Sequence, residues 1–284
     1  TADFDYRPRS HAEHLRQLVT ALDLQNFTLV VQDWGGPIGL DLATREPDRI
    51  GRVLIMNTWA FSVDRNNPGY AHQLVRWYEQ VQFAETVPDL FCRALLPGQA
   101  AENAVQADTF DEGVFDVVRD AYIAPHIIPE TGAYRHPEPC APMQIFAESI
   151  FDDNAFQAEV EERLSTLRGV PYALLYGLSD IIFGAQRCDL NAAAPCPGSA
   201  SCVCDPDLLP DRVEADCATA PEEYFVCKTE DGSALEPYAD RFVELLGESD
   251  LVARETEPTS DHMIQEGAPD RVVAAIRRLI DAAP

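Results

Sequence analysis

The chain has 284 residues, a formal net charge of −27 at pH 7 and 46% hydrophobic residues. This size and apolar content are enough for one large domain, or for a domain with a lid. The acidic excess disfavours nucleic acid and anionic lipid surfaces as partners. The longest apolar runs are too short to span a membrane, and no signal segment is visible. Composition leaves the oligomeric state open.

The predicted elements alternate between strand and helix along most of the chain. Ser10 and Glu13 form a capping-box pattern, which predicts that the first helix begins at His11. Strands are predicted over residues 27–31, 52–57, 170–176 and 251–256, and helices over residues 11–22, 39–45, 238–246 and 270–281. Residues 61–165 show a helical pattern interrupted by several prolines.

The segment Gln32-Asp33-Trp34-Gly35-Gly36 lies between the first predicted strand and the second predicted helix. A strand, a tight glycine-rich turn and a helix are typical of the nucleophile elbow of α/β-hydrolases. Asp33 stands where such an elbow usually has Ser, and an Asp is already ionised at neutral pH. A carboxylate that attacks a saturated carbon forms an ordinary ester, which favours alkyl halides or epoxides as substrates. The alternative is that Asp33 merely caps the helix.

Two later motifs complete a set of three residues. Asp180 comes shortly after the strand predicted over 170–176, where this fold places the acid of a catalytic triad. His262 follows the last predicted strand, and the order nucleophile, acid, histidine matches the chain order of the fold. A lone histidine is usually a surface or core residue, which is our interpretation of the others: His11, His14, His72, His126 and His136.

Residues 29–36 and 52–57 resemble the haloalkane dehalogenases, as do residues 176–184 and 261–266. Gln32 supports this resemblance, because epoxide hydrolases of the same fold usually have His before the nucleophilic Asp. The resemblance implies an α/β-hydrolase core with a mainly parallel sheet, a helical cap and, in this chain, a Cys-rich insertion. It divides the chain into core over 1–60, cap over 61–165 and core over 166–284, with the insertion over 185–235. Members of the family have further strands before the elbow strand, and we expect these N-terminal strands to be missing here.

The resemblance also implies a mechanism that needs no cofactor and no metal. Asp33 attacks the carbon that bears the halogen, and the Trp34 indole N–H binds the leaving halide. His262, oriented by Asp180, activates the water that hydrolyses the resulting ester. The Trp34 backbone N–H supplies part of the oxyanion hole. The expected partners are a small apolar halogenated substrate, water and a halide ion.

Aromatic residues are the candidates for the substrate pocket: Trp59, Phe61 and Phe110. Trp59 closely follows the strand predicted over 52–57. Some branches of the family bind the halide with a second Trp from the cap, and a rough alignment puts Phe110 at that position. Because Phe has no N–H to donate, the second halide donor is not identified.

A Cys-rich segment interrupts the second half of the core. Its cysteines are Cys188, Cys196, Cys202, Cys204, Cys217 and Cys227. We interpret them as disulfide candidates, because such a segment cannot bury enough core alone. A zinc site is the alternative, although paired Cys-x-x-Cys motifs are missing. Disulfides favour a periplasmic or secreted protein, whereas the family resemblance favours the cytoplasm.

Two other functions remain open. An epoxide hydrolase would use the same Asp33, Asp180 and His262 together with cap tyrosines, for which Tyr122 and Tyr134 are candidates. A catalytically impaired α/β-hydrolase homologue is the other possibility. The presence of the complete triad argues against impairment, since folding does not require all three residues.

Overall fold

The computed structural model describes residues 4–66, 68–85, 141–205, 225–258, 260 and 262–282. Several sequence-based predictions therefore lie outside the described residues, and these concern Phe110, Tyr122, Tyr134 and Cys217. Within the described ranges no helix is both long and apolar enough to cross a bilayer.

The described secondary structure contains the strands and helices that the sequence predicts, and adds others. The strands are β1 Phe27–Gln32, β2 Ile50–Met56, β3 Tyr172–Gly177, β4 Ser201–Cys204, β5 Phe225–Lys228 and β6 Leu251–Glu257. The helices are α1 Pro8–Ala21, α2 Gly35–Arg45, α3 His72–Glu85, α4 Ala141–Asp152, α5 Asn154–Arg163, α6 Pro237–Leu246, α7 Ile264–Gly267 and α8 Pro269–Ala282. Helices α3 and α4 contact each other, and α5 packs on α2.

Helix α1 begins at Pro8, so the predicted start at His11 is wrong. Proline is favoured in the first turn of a helix, because its missing N–H would have no partner there. The predicted capping box does not form. The Ser10 side chain bonds Asp5 instead, and the Glu13 carboxylate accepts hydrogen bonds from Arg16.

The main sheet is parallel, with the strand order β1-β2-β3-β6. Gln32 at the end of β1 pairs with Met56 at the end of β2, and Gly177 of β3 pairs with Glu257 of β6. The carboxyl ends of all four strands therefore meet at one edge of the sheet. In open α/β sheets this edge is where ligands bind.

The two central strands β2 and β3 are largely buried on both faces, as expected for parallel strands, whereas the edge strands β1 and β6 are partly exposed. Side chains alternate along β2, so that Val53 and Ile55 join the core beneath α2 and α6, whereas Leu54 and Met56 face α8. Helix α8 covers this second face with its buried residue Leu279. The sheet is thus a rigid layer between helices, and the loops at its carboxyl edge are held by packed strands.

The Cys-rich insertion contains the antiparallel pair β4–β5, in which Cys202 lies opposite Cys227. Cys188 bonds Cys202 and Cys196 bonds Cys227, and Cys204 is also disulfide-bonded. The sulfurs of Cys188, Cys196 and Cys227 lie within 4.8 Å of one another. These cysteines are oxidised in the structure, so they form the disulfides of the first interpretation and do not offer the thiolates that a zinc site needs.

Candidate active site

Asp33 directly follows β1 and lies on a tight left-handed turn. Its φ is +49°, a conformation that Asp tolerates better than most residues with a side chain. The Asp33 amide donates to the carbonyl of Asn57 at 3.1 Å, and the Asp33 carbonyl accepts from the Gly36 amide at 2.9 Å. These bonds fix the turn at the edge of the sheet. The Asp33 side chain is 36% exposed, which leaves its carboxylate accessible.

Gly36 allows the elbow to approach the loop after β2. A Cβ atom at this position would overlap the hydroxyl oxygen of Thr58 and the carbonyl oxygen of Trp59. The same Thr58 hydroxyl donates a hydrogen bond to the carbonyl of Asp33. A residue without a side chain is therefore required where α2 begins.

His262 lies between two carboxylates. Its Nε2 is 3.4 Å from Oδ1 of Asp33, and its Nδ1 is 2.8 Å from Oδ2 of Asp180. The Asp180 side chain is 1% exposed, whereas that of His262 is 21% exposed. The structure thus brings together the three residues that the sequence places far apart, with the imidazole between the other two.

The Asp180 carboxylate has hydrogen-bond donors on both oxygens. Oδ1 accepts from the amides of Ile182 at 2.8 Å and Phe183 at 3.1 Å. Oδ2 accepts from Nδ2 of Asn57 at 2.8 Å and also faces His262. A buried carboxylate needs such donors, because it has lost its contact with water.

The negative charge of Asp180 and the positive charge of protonated His262 stabilise each other. Burial acts to raise the pKa of Asp180, but the facing His262 and the hydrogen bonds from His262 and Asn57 outweigh it and lower this pKa. Burial acts to lower the pKa of His262, whereas the carboxylates of Asp180 and Asp33 raise it well above its usual value. Asp180 is therefore ionised at neutral pH, and the free site favours the imidazolium form of His262.

Gln32, the last residue of β1, contacts His262 twice. Its Nε2 donates to the main-chain carbonyl of His262 at 3.0 Å and lies 3.1 Å from Nε2 of the ring. The amide suits a neutral ring whose Nε2 can accept, whereas Asp33 suits a protonated ring. The surroundings of Nε2 can therefore accommodate both protonation states of His262.

Aromatic rings line one side of the triad. Trp34 meets Trp59 edge to face with 4.8 Å between ring centroids, and Trp59 stacks on Phe183 at 5.2 Å. Phe183 in turn lies 5.7 Å from the ring of His262, and Phe146 lies 4.7 Å from Trp34. Such a wall favours an apolar molecule next to the carboxylate of the elbow.

The three pocket candidates have different positions. Trp59 lies within this aromatic wall. Phe61 is 1% exposed, and its ring packs against Tyr238 and Phe242 in the core beside α6. Trp59 is equally buried and belongs to the same core cluster, so the position of both residues at a substrate pocket stays a prediction. Phe110 lies outside the described residues.

Asn57 and Phe183 are site residues that the sequence reasoning did not identify. Asn57 is fully buried at the end of β2 and has a positive φ of +33°. Its position directly after a strand, equivalent to that of Asp33 after β1, is a signal that could have identified it. Phe183 has no such signal, because its contact with His262 depends on how the loop after β3 folds.

Comparison with known proteins yields related sequences and folds. A sequence model described as alpha/beta hydrolase fold matches residues 1–91. A cis-3-alkyl-4-alkyloxetan-2-one decarboxylase of Shewanella oneidensis is 42% identical over 66 residues, which cover 23% of this chain and 21% of that protein. A haloalkane dehalogenase of Psychrobacter cryohalolentis is 32% identical over 122 residues, 43% of this chain and 35% of that protein. The matched segments are thus about a third or less of these relatives' lengths.

Solved structures match over nearly the whole chain. The haloalkane dehalogenase DpaA of Paraglaciecola agarilytica gives a TM-score of 0.55 at 19% identity, covering 95% of this chain and 66% of that chain. An epoxide hydrolase of Bacillus megaterium gives a TM-score of 0.56 at 15% identity, covering 97% of this chain and 76% of that chain. At these identities the structural matches establish the fold alone.

The parallel sheet, the elbow after β1 and these matches define an α/β-hydrolase fold, which confirms the predicted fold class. Within this fold, parts of the sequence are similar to haloalkane dehalogenases from several bacteria.

Proposed function

We propose that this protein hydrolyses the carbon–halogen bond of small apolar haloalkanes, with Asp33 as the nucleophile. The proposal is carried by the approach of the His262 imidazole to within 3.4 Å of the Asp33 carboxylate at the elbow. A carboxylate can displace a leaving group from saturated carbon without first losing a proton. The sequence similarity to haloalkane dehalogenases supports this choice of substrate. In this proposal residues 61–165 form a cap over the site.

The first step forms an ester. An Asp33 oxygen bonds to the carbon as the carbon–halogen bond breaks, and the halide leaves with the bonding electrons. The Trp34 indole N–H donates a hydrogen bond to the halide and stabilises the negative charge that develops on it in the transition state. The rings of Trp34, Trp59 and Phe183 provide an apolar surface beside the elbow, which favours an apolar haloalkane at this position.

The second step hydrolyses the ester. His262 takes a proton from water as the water oxygen attacks the carbonyl carbon of the ester. The ester C–O bond then breaks, the imidazolium returns the proton to the leaving alcohol oxygen, and the Asp33 carboxylate is regenerated. Ester formation removes the charge of Asp33, which is one of the causes that raise the pKa of His262. The pKa of His262 therefore falls when the intermediate forms, and a larger fraction of the ring is neutral and able to accept a proton at the stage that needs a base. Asp180 stabilises the imidazolium that results.

The test is to trap the ester. The variant His262→Gln is incubated with a brominated alkane and analysed by peptide mass spectrometry. The peptide that contains Asp33 is expected to gain the mass of the alkyl group, because only the second step requires His262. The matched variant Asp33→Asn is expected to remain unmodified. An unmodified Asp33 peptide in His262→Gln, with bromide release absent in the wild-type protein, would overturn the proposal.

A second candidate function follows from the 42% identity with an oxetan-2-one decarboxylase. An oxetan-2-one is a strained four-membered lactone, and its ring C–O bond could be opened by the same carboxylate. Loss of CO₂ would then leave an alkene and regenerate Asp33. Assays with a haloalkane, an epoxide and such a lactone separate the candidates, since the products are halide, diol or alkene with CO₂. The absence of all these products would favour a non-catalytic protein.

A further inference from the structure

Arg187 is buried beneath the loop that carries Asp180. Arg187 is only 2% exposed. Nη2 donates to the carbonyl of Ser179 at 3.0 Å and to the carbonyl of Leu178 at 3.3 Å. These two residues directly precede Asp180. A cationic side chain from the beginning of the Cys-rich insertion thus binds the backbone that presents the acid.

We propose that Arg187 is a positioning residue for the catalytic acid, and that the paired disulfides of the insertion hold Arg187 in place. The inference rests on the proposed function, in which Asp180 orients His262. Arg187 acts through the main chain before Asp180 and touches neither the substrate nor the reacting atoms.

The carbonyl groups of the loop after β3 converge, and that of Leu178 accepts from the Ala185 amide at 3.2 Å as well as from Arg187. The Cα of Gly184 lies so close to them that a Cβ there would be 2.5 Å from the carbonyl oxygen of Gly177, 2.6 Å from that of Asp180 and 2.7 Å from that of Leu178. The Gly184 amide satisfies the Asp180 carbonyl at 3.1 Å. A guanidinium among these carbonyl dipoles makes charge-assisted hydrogen bonds, which are stronger than those of a neutral donor.

The loop in turn determines where the carboxylate of Asp180 points. Its Oδ1 accepts the amides of Ile182 and Phe183, which belong to the same turn. A shift of the loop would therefore move Asp180 away from His262 Nδ1, which is now 2.8 Å from Oδ2. The hydrogen bond that supports the imidazolium would weaken, and the pKa of His262 would fall.

The main chain on both sides of Arg187 is fixed by hydrogen bonds to the insertion. The Gln186 amide donates to the carbonyl of Leu235 at 2.7 Å, and the Gln186 carbonyl accepts from the Cys227 amide at 2.8 Å. The Cys188 amide donates to the carbonyl of Phe225 at 2.8 Å. Arg187 therefore extends from a short segment that is held against β5.

Disulfides lock this segment covalently. Cys188, the neighbour of Arg187, is bonded to Cys202 of β4, and Cys227 of β5 is bonded to Cys196. The two disulfides pack against each other, with 3.7 Å between the sulfurs of Cys188 and Cys196. Reduction by a dithiol would convert each disulfide to two thiols, oxidise the reductant to its own disulfide, and release the main chain around Arg187.

The experiment compares Arg187→Met with Arg187→Lys, and uses Arg277→Met on the exposed side of α8 as the matched control. The pKa of His262 is measured by NMR titration of its ring, with the resonance assigned from His262→Gln. We expect a decrease of about one unit in Arg187→Met, partial recovery in Arg187→Lys and no change in the control. This measurement needs no substrate, so it can succeed even if dehalogenation is not the function.

A second measurement separates the two reaction steps. With a brominated alkane, Arg187→Met is expected to form the Asp33 ester at the wild-type rate and to hydrolyse it about tenfold more slowly, because a displaced Asp180 orients the ring less well and stabilises the forming imidazolium less. Equal slowing of both steps would indicate general damage to the fold and would overturn the positioning role.

The contribution of the disulfides is tested by reduction with dithiothreitol. The reduced wild-type protein is expected to show the same decrease in the pKa of His262, whereas Arg187→Met is expected to show little further change, because the two perturbations act through one contact. If the decreases in the pKa of His262 caused by reduction and by Arg187→Met are additive, the disulfides do not act through Arg187, and this part of the proposal is overturned. An unchanged pKa in both the variant and the reduced protein would overturn the proposal, and the reduced wild-type protein provides the test if Arg187→Met does not fold.

Discussion

Asn57 and His262 meet at the same oxygen of Asp180. Nδ2 of Asn57 and Nδ1 of His262 each lie 2.8 Å from Oδ2. The side-chain oxygen of Asn57 accepts the amide of Gly177 at 2.8 Å. One buried side chain therefore ties the end of β2 to the end of β3 and helps to keep Asp180 ionised.

Replacement of Asn57 should damage the second reaction step. In Asn57→Ala the Asp180 carboxylate loses a donor, and a hydrogen bond to a charged group contributes about 1.5–3 kcal/mol. We expect ester hydrolysis to slow at least about tenfold, with ester formation little changed. Single-turnover kinetics with a brominated alkane would measure both steps. The control is Asn191→Ala in an exposed part of the insertion, and equal hydrolysis rates in both variants would contradict the role of Asn57.

The stability of the protein should depend on pH through His262. Its folded pKa is raised well above the usual value of 6.5. The stabilisation is therefore fully present below the unfolded pKa and is lost as the pH rises through the folded pKa. Urea unfolding of the wild-type protein and His262→Gln at several values from about pH 6 to about pH 10 would measure this, and the stability advantage of the wild-type protein should shrink as the pH rises. A pH-independent difference would contradict the shift.

At acidic pH the stability of the protein should depend on Asp180. Its folded pKa is lowered, so its stabilisation is present above the unfolded pKa and is lost as the pH falls through the folded pKa. The difference in the free energy of unfolding between the wild-type protein and the matched variant Asp180→Asn should therefore shrink at acidic pH. Persistence of the full difference below about pH 2 would indicate that charge is not its source.

Removal of the charge at Asp33 should lower the pKa of His262. The Asp33 carboxylate is one of the groups that raise this pKa, and Asp33→Asn mimics the neutral ester that we propose as the intermediate. NMR titration of the His262 ring should show a clear decrease relative to the wild-type protein. The control is Asp64→Asn, since Asp64 is exposed in the segment after β2. An unchanged pKa in Asp33→Asn would mean that ester formation does not activate the base.

The two adjacent glycines of the elbow should differ in their tolerance of a methyl group. At Gly36 the added atom overlaps Thr58 and Trp59, whereas at Gly35 its nearest neighbour is Cβ of Val31 at 3.9 Å. Overpacking in a tight core typically costs about 1–3 kcal/mol, so Gly36→Ala should be destabilised by at least that amount. Gly35→Ala should be neutral or slightly stabilised, because Ala favours the helical backbone. Chemical denaturation of both variants checks this difference.

The sequence predicts the fold well where the signal is local. The four parallel strands follow from apolar runs, and the elbow follows from Gly35 and Gly36 after the first of them. Chain order and position after a strand correctly bring Asp33, Asp180 and His262 into contact. The predicted start of α1 is wrong because the helix begins at Pro8, and the capping-box pattern of Ser10 and Glu13 does not form.

Contacts between distant segments were harder to predict. The bond between Asn57 and Asp180 joins loops that are 123 residues apart, and no periodicity indicates it. Phe61 packs against Tyr238 and Phe242 of α6, a contact that joins two distant parts of the chain. The burial of Arg187 depends on how the Cys-rich insertion folds back on β5. Such arrangements follow from tertiary packing, which a single sequence does not specify.

The φ of +49° at Asp33 has a consequence for protein engineering. Among residues with a side chain, Asp and Asn adopt the left-handed region most readily, whereas Ser does so less often. The nucleophile elbow of α/β-hydrolases nevertheless holds its Ser on the same kind of strained turn. Conversion of this elbow into a serine esterase would therefore depend on the surrounding groups more than on the backbone, because a hydroxyl needs a neutral His262 to take its proton, whereas the Asp33 carboxylate does not.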